Sequence, residues 1–151
     1  GDFAVTERTL REAIGVEVLP CGRPVIAEFL PATDDPAVEG EARDLGERCD
    51  ASDLPQGALH ASVRASLAVR RWIARERLDA FSVNFLAVGR DAGLPTVPFL
   101  EASLAMARGV GYAGEGDALT AAFVAAVARR HHRRSRRRIS PSRWLSGMMP
   151  A

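Results

Sequence analysis

Asp79-Ala-Phe-Ser-Val-Asn-Phe-Leu-Ala-Val88 is the stretch on which the fold turns. Phe81, Val83 and Phe85 alternate with Ser82 and Asn84 before the run becomes wholly apolar, and that period of two predicts a strand with unlike faces. Gly89 to Pro98, with two prolines and two glycines, reads as a loop. Phe99 to Arg108 then sets Phe99, Leu100, Ser103, Leu104 and Ala107 on one side of a helix. Strand, loop and helix in that order begin an α/β unit.

Upstream, Asp53-Leu-Pro55 opens the longest helix candidate, to about Leu78, with Leu59, Val63, Leu67, Trp72 and Ile73 as a core-facing stripe. Arg64, Arg70, Arg71, Arg75 and Arg77 lie among them and read as a water-facing surface. Val38 to Arg48 is a polar helix, Pro31 to Asp35 a break, and Val25 to Leu30 a helix with Pro24 at its first position. Val16 to Leu19 is a short β-branched run and reads as a strand; Thr6 caps a helix that reaches Ile14. Downstream, Gly109 to Gly116 is a glycine-rich turn. Asp117 starts a helix through about Ala128 that is expected to carry Leu119, Phe123, Val124 and Val127 inward. The order of elements predicts an α/β fold with a small, mostly parallel sheet flanked by helices, the strand at about 80–86 being central.

The chain has 151 residues, 47% hydrophobic and 26% charged, which suits one globular domain. No apolar run is long enough to span a membrane. Cys21 and Cys49 match no zinc or redox spacing, and no leader precedes the first helix, so buried or reduced thiols in a cytoplasmic protein are expected. All 20 basic residues are arginine, as in a GC-rich coding sequence. The first methionine is Met106, so the chain is expected to be an internal piece. The net charge of +1 conceals an asymmetry. Residues 1–128 hold 12 arginines against all 19 acids, a charge of −7; residues 129–151 hold 8 arginines and no acid. The acidic body argues against nucleic-acid binding by the whole chain.

The chemistry concentrates in Gly109-Val-Gly-Tyr-Ala-Gly-Glu-Gly-Asp-Ala-Leu-Thr-Ala-Ala122. Glu115 stands between two glycines just before a helix start, where α/β sheets bind ligands. A carboxylate there either coordinates a divalent cation or carries a proton; alternatively, Glu115 and Asp117 simply favour the positive end of the following helix. The glycine spacing is no dinucleotide fingerprint, and without lysine there is no P-loop.

Leu94-Pro-Thr-Val-Pro-Phe-Leu100, Ala105-Met-Ala-Arg-Gly-Val-Gly-Tyr-Ala-Gly-Glu-Gly-Asp117 and Leu119-Thr-Ala-Ala122 together resemble the middle domain of L-arabinose isomerases and their L-fucose isomerase-like relatives. The resemblance covers about residues 2 to 128, and the Gly-Glu-Gly-Asp turn is its most specific part. It implies a metal-dependent aldose–ketose isomerase acting by proton transfer through an ene-diol, with Glu115 as both catalytic residue and Mn²⁺ ligand. It also implies an aldose or ketose sugar as partner, and a homo-oligomeric parent enzyme. A second acidic ligand and two histidine ligands, which the family also needs, have no counterpart after Ala128. His131 and His132 are read as non-ligands, since adjacent side chains point apart, and His60 as surface or packing. The organisation expected is therefore a partial isomerase domain over 1–128, inactive alone, and an arginine-rich tail over 129–151, disordered or out of frame. The alternatives are a non-catalytic sugar-binding α/β module and a nucleic-acid-binding protein that uses the basic tail.

Overall fold

A computed structural model of the chain describes residues 5–85 and 93–138, with side chains as far as His131. Leu86 to Val88 of the predicted strand and the tail beyond Arg138 lie outside the described residues. Six helices and two strands follow in the order α1 (Glu7–Ile14), α2 (Arg23–Ala27), α3 (Pro36–Arg48), α4 (Ala58–Glu76), β1 (Ala80–Val83), α5 (Phe99–Ala107), β2 (Gly111–Gly114) and α6 (Ala118–Arg138). The strands pair in parallel, Ala80 beside Gly111 through Val83 beside Gly114. This is the α/β arrangement expected, with helices predominating. Because the sheet has two strands among the described residues, β1 is an edge of it and not a centre.

Local chemistry sets the boundaries. Thr6 caps α1, its Oγ1 accepting the Thr9 amide at 3.2 Å, and Gly15 at φ 66° ends it. Asp35 caps α3 by accepting the Ala37 amide at 2.9 Å, with Pro36 at the first helical position. Arg77 ends α4 in the left-handed region at φ 55°, its amide returning to the Ile73 carbonyl.

The long helix α4 divides the core. On one side Ala68, Val69, Trp72 and Ile73 pack with Ile26, Phe29, Phe81, Ala102 and Ala105. On the other, Val63 and Leu67 pack with Val38, Ala42 and Leu45 of α3. Each fully buried large side chain contributes about 1.5–3 kcal/mol relative to exposure. The arginines of α4 do more than face water. Arg64 donates to the Pro31 carbonyl at 3.0 and 3.1 Å, and Arg71 reaches Asp35. Arg75 pairs with Glu28 and lies 4.1 Å over the Phe29 ring. These contacts fix the turn-rich segment between α2 and α3 against α4.

A charged cluster holds α3, α4 and α5 together. Glu101 has no exposed surface. Its Oε2 accepts from Ser66 Oγ at 2.7 Å and Arg70 Nε at 3.0 Å, and its Oε1 accepts from Arg108. Arg70 extends a second fork to Glu41 at 2.8 and 3.1 Å. A carboxylate without water needs such partners.

Four further expectations are corrected. Val16–Leu19 forms no strand: Val16 and Val18 are half-buried and Glu17 and Leu19 exposed, which keeps the alternation, but the Val16 amide is spent on the Leu10 carbonyl and no strand among the described residues pairs with the segment. The face that α5 buries is Glu101, Ala102 and Ala105, while Phe99 is 53% exposed. On α6 the inward residues are Ala121 and Ala125, and Leu119, Phe123 and Val127 are exposed. The cause is Gly111. Having no side chain, it lets α6 approach β2 so closely that only alanines fit between them. The cysteines are free thiols, exposed rather than buried.

Candidate functional site

Parallel pairing brings the carboxyl ends of β1 and β2 to the same side. From Gly114 the chain reverses through Glu115 and Gly116, with the Asp117 amide donating to the Gly114 carbonyl at 3.0 Å. Both central residues have positive φ, 57° at Glu115 and 76° at Gly116. Glycine accepts this freely; glutamate does so at a cost of roughly 1–2 kcal/mol. The Gly116 amide reaches the Val83 carbonyl at 3.3 Å and ties the turn to the end of β1. A side chain at Gly114 would sit 2.8 Å from the Phe85 ring, which itself stands edge-on to Phe99 with centroids 5.2 Å apart.

The two acids of the turn differ in occupation. Asp117 caps α6: its Oδ1 accepts the Thr120 amide at 2.9 Å and its Oδ2 the Thr120 hydroxyl at 2.6 Å. Those bonds hold its carboxyl below the usual aspartate range. Glu115 is exposed and makes no hydrogen bond or ion pair among the described residues. Capping thus accounts for Asp117 and leaves Glu115 available.

Two neighbours were not singled out from the sequence. Asn84 follows β1 and faces Gly116, where an added Cβ would be 3.9 Å from its own. Tyr112 packs against Phe81 with the rings tilted by 47° and their centroids 5.0 Å apart, on the opposite sheet face from α6, and its buried hydroxyl has no partner among the described residues. Burial, and secondarily the Glu115 charge, push that phenol above its ordinary range. Period-two alternation along Gly111–Gly114 was the available signal for Tyr112, obscured by three glycines in six residues.

His60 and His131 stay apart from the turn. His60 Nε2 lies 3.0 Å from Glu39 Oε1, on the α3–α4 side, and His131 is exposed on α6. Among the described residues no three His, Cys, Asp or Glu side chains converge as a metal site. One free carboxylate does not satisfy a divalent cation, which takes several ligands. The residues present therefore do not by themselves fit Mn²⁺. A cleft of about 940 Å³ runs along the open edge of β1, between Gly15–Arg23 and α6. It touches the turn only at Gly116, and its size does not make it the chemical site, since Glu115 is outside its lining. No described helix is long and apolar enough to cross a membrane.

A family model for the L-arabinose isomerase central domain matches residues 39–132, more than half of the chain. The chain belongs to that family. No curated protein matches it. Within this L-arabinose isomerase central domain, the match takes in nearly all of α3, then α4, β1, α5, β2, the Glu115 turn and the first two-thirds of α6. It begins later than the resemblance read from sequence, leaving α1 and α2 outside, and it continues four residues past Ala128.

Proposed function

We propose that this domain serves a metal-dependent aldose–ketose isomerase of the L-arabinose/L-fucose type, in which Glu115 is the acting carboxylate. The observation that supports this is the contrast within one turn: Asp117 is fully engaged in capping, while Glu115 is unpaired, exposed and held at φ 57° at the carboxyl end of a parallel sheet. A carboxylate so placed suits proton transfer from the carbon beside a sugar carbonyl, or service as one ligand among several. The tight turn fixes its backbone, so the carboxylate reaches a substrate with little reordering. Because the described residues supply no further ligands, the chain alone is expected to isomerise nothing.

The test has two arms. With Mn²⁺ and L-arabinose or L-fucose, the purified chain should form no ketose; clear Mn²⁺-dependent turnover would refute the incomplete-site reading. In amide NMR spectra, Mn²⁺ at millimolar concentration should broaden Gly114 to Asp117 first, and Glu115→Gln should remove that preference. Broadening centred elsewhere, unchanged by the substitution, would remove Glu115 from the metal role.

A further inference from the structure

The two strands end level. Their last paired residues are Val83 and Gly114, so the next positions in register are Asn84 and Glu115. Neighbouring strands of a sheet lie roughly 4.7–4.9 Å apart, which sets these two positions within reach of one small molecule. The Gly116 amide, bonded to the Val83 carbonyl, folds the turn toward β1, and a Cβ added at Gly116 would lie 3.9 Å from that of Asn84. Asn84 and Glu115 are both exposed. Asn84 and Gly116 are also where the cleft along β1 meets the turn. An amide beside a carboxylate is a specific combination. The amide offers two donors and a carbonyl acceptor, more than a single neighbour within the chain uses, and it carries no charge. An arginine at position 84 would pair with Glu115 and an aspartate would repel it. Asparagine binds polar groups and leaves the charge of the carboxylate alone.

We propose, on the reading of Glu115 as the acting carboxylate, that Asn84 is the substrate-recognition residue of the same site, and that it hydrogen-bonds a hydroxyl of an open-chain sugar on the carbon next to the one Glu115 deprotonates. Vicinal hydroxyls suit a carboxamide, which donates to one oxygen and accepts from the other. The Asn84 contact decides which carbon faces Glu115, so its effect is on orientation. The remaining carbons extend into the cleft past Ala118 and Ala122, whose small side chains leave space. The ligand class is therefore a polyhydroxylated chain with adjacent hydroxyls. A simple alcohol makes half of these bonds, and an anion is repelled by Glu115.

Heteronuclear NMR of the full chain tests this with L-arabinose, L-fucose and, as a control at equal hydroxyl concentration, propan-1-ol. Both sugars should shift the Asn84 side-chain amide and the Gly114 to Asp117 backbone amides saturably, and the alcohol should not. Asn84→Ala should weaken sugar binding at the turn about fivefold while the circular dichroism stays the same. Asn84→Asp sets a second carboxylate beside Glu115, so Mn²⁺ should broaden Gly114 to Asp117 at a several-fold lower concentration. The absence of a saturable sugar shift at Asn84 overturns the proposal, and so do sugar shifts at the turn that Asn84→Ala leaves untouched. An unchanged Mn²⁺ dependence in Asn84→Asp overturns it as well, because position 84 would then be out of reach of Glu115. The two readings fail separately. No sugar shift, with Mn²⁺ still preferring Glu115, strikes Asn84 and leaves the role of Glu115 standing. Sugar shifts at Asn84, with Mn²⁺ broadening centred elsewhere, uphold the sugar contact and strike Glu115 as a metal ligand.

Discussion

Gly111 of β2 lies so close to Ala125 of α6 that a Cβ at position 111 would stand 2.8 Å from the Ala125 methyl and 2.2 Å from the Ala121 carbonyl oxygen. Backbone and helix cannot both keep their places around even one added carbon. Gly111→Ala should therefore destabilise the domain by roughly 3 kcal/mol, at the upper end of overpacking effects. Urea unfolding followed by far-UV circular dichroism measures it; a loss below about 0.5 kcal/mol would show that α6 shifts outward without penalty.

Glu101 concentrates the charge network of the helical layer. Glu101→Gln keeps the shape but leaves Ser66, Arg70 and Arg108 around a neutral amide. A loss of about 3 kcal/mol is expected, as for breaking a buried hydrogen-bonded pair from one side. The urea midpoint should fall with an unchanged slope.

Acid should weaken the fold through carboxylates whose folded pKa is depressed. The Arg70 hydrogen bonds hold Glu41 below its ordinary 4.5. The Ala37 amide holds Asp35, and the Thr120 hydroxyl and amide hold Asp117, below 3.8. Each contributes stability that is present above its unfolded pKa and is lost as pH falls through the folded value. Thermal midpoints should be flat from neutrality to about pH 5 and decline below it. Glu41→Gln should lower the plateau and make the decline shallower.

Tyr112 buries a hydroxyl with no partner among the described residues. Tyr112→Phe removes that unsatisfied group and keeps the ring contact with Phe81. It should stabilise the domain by about 1 kcal/mol. A destabilised variant in thermal melts would show that the hydroxyl is bonded in solution.

Glu115 occupies a backbone conformation that glycine prefers. Glu115→Gly should leave the domain about 0.5–1 kcal/mol more stable, the relief of left-handed strain exceeding the added chain entropy. The same substitution removes the carboxylate assigned to chemistry, so isomerase activity in a complete enzyme should disappear as stability rises. A stability loss would mean that the glutamate side chain has an unseen structural role.

Much of the fold was legible wherever one residue decides one local event. Thr6 and Asp117 cap the helices they were expected to cap, Pro24 sits in a first turn, and Phe81 marks β1. The position of Glu115 on a turn before a helix was equally readable. The inward face of α6 was not, because it depends on how closely Gly111 lets the helix approach rather than on which residues are most apolar. Val16–Leu19 misled for a related reason: a strand needs a paired edge, and here a cleft separates the segment from the open edge of β1. The Glu101 cluster joins residues 29, 31 and 35 positions apart, and no local pattern reveals such a meeting.

The parallel register has a consequence for the order of assembly. Ala80 finds Gly111 only after the intervening chain, α5 included, has been laid down and folded back. Pairing across so long a separation incurs loop-closure entropy before any ladder bond forms, whereas α3 and α4 are nearest neighbours along the chain. The helical layer therefore condenses early and the two strands close late. The turn bearing Glu115 comes into being at that last step, so during synthesis the fold is largely complete before its chemical group has a place.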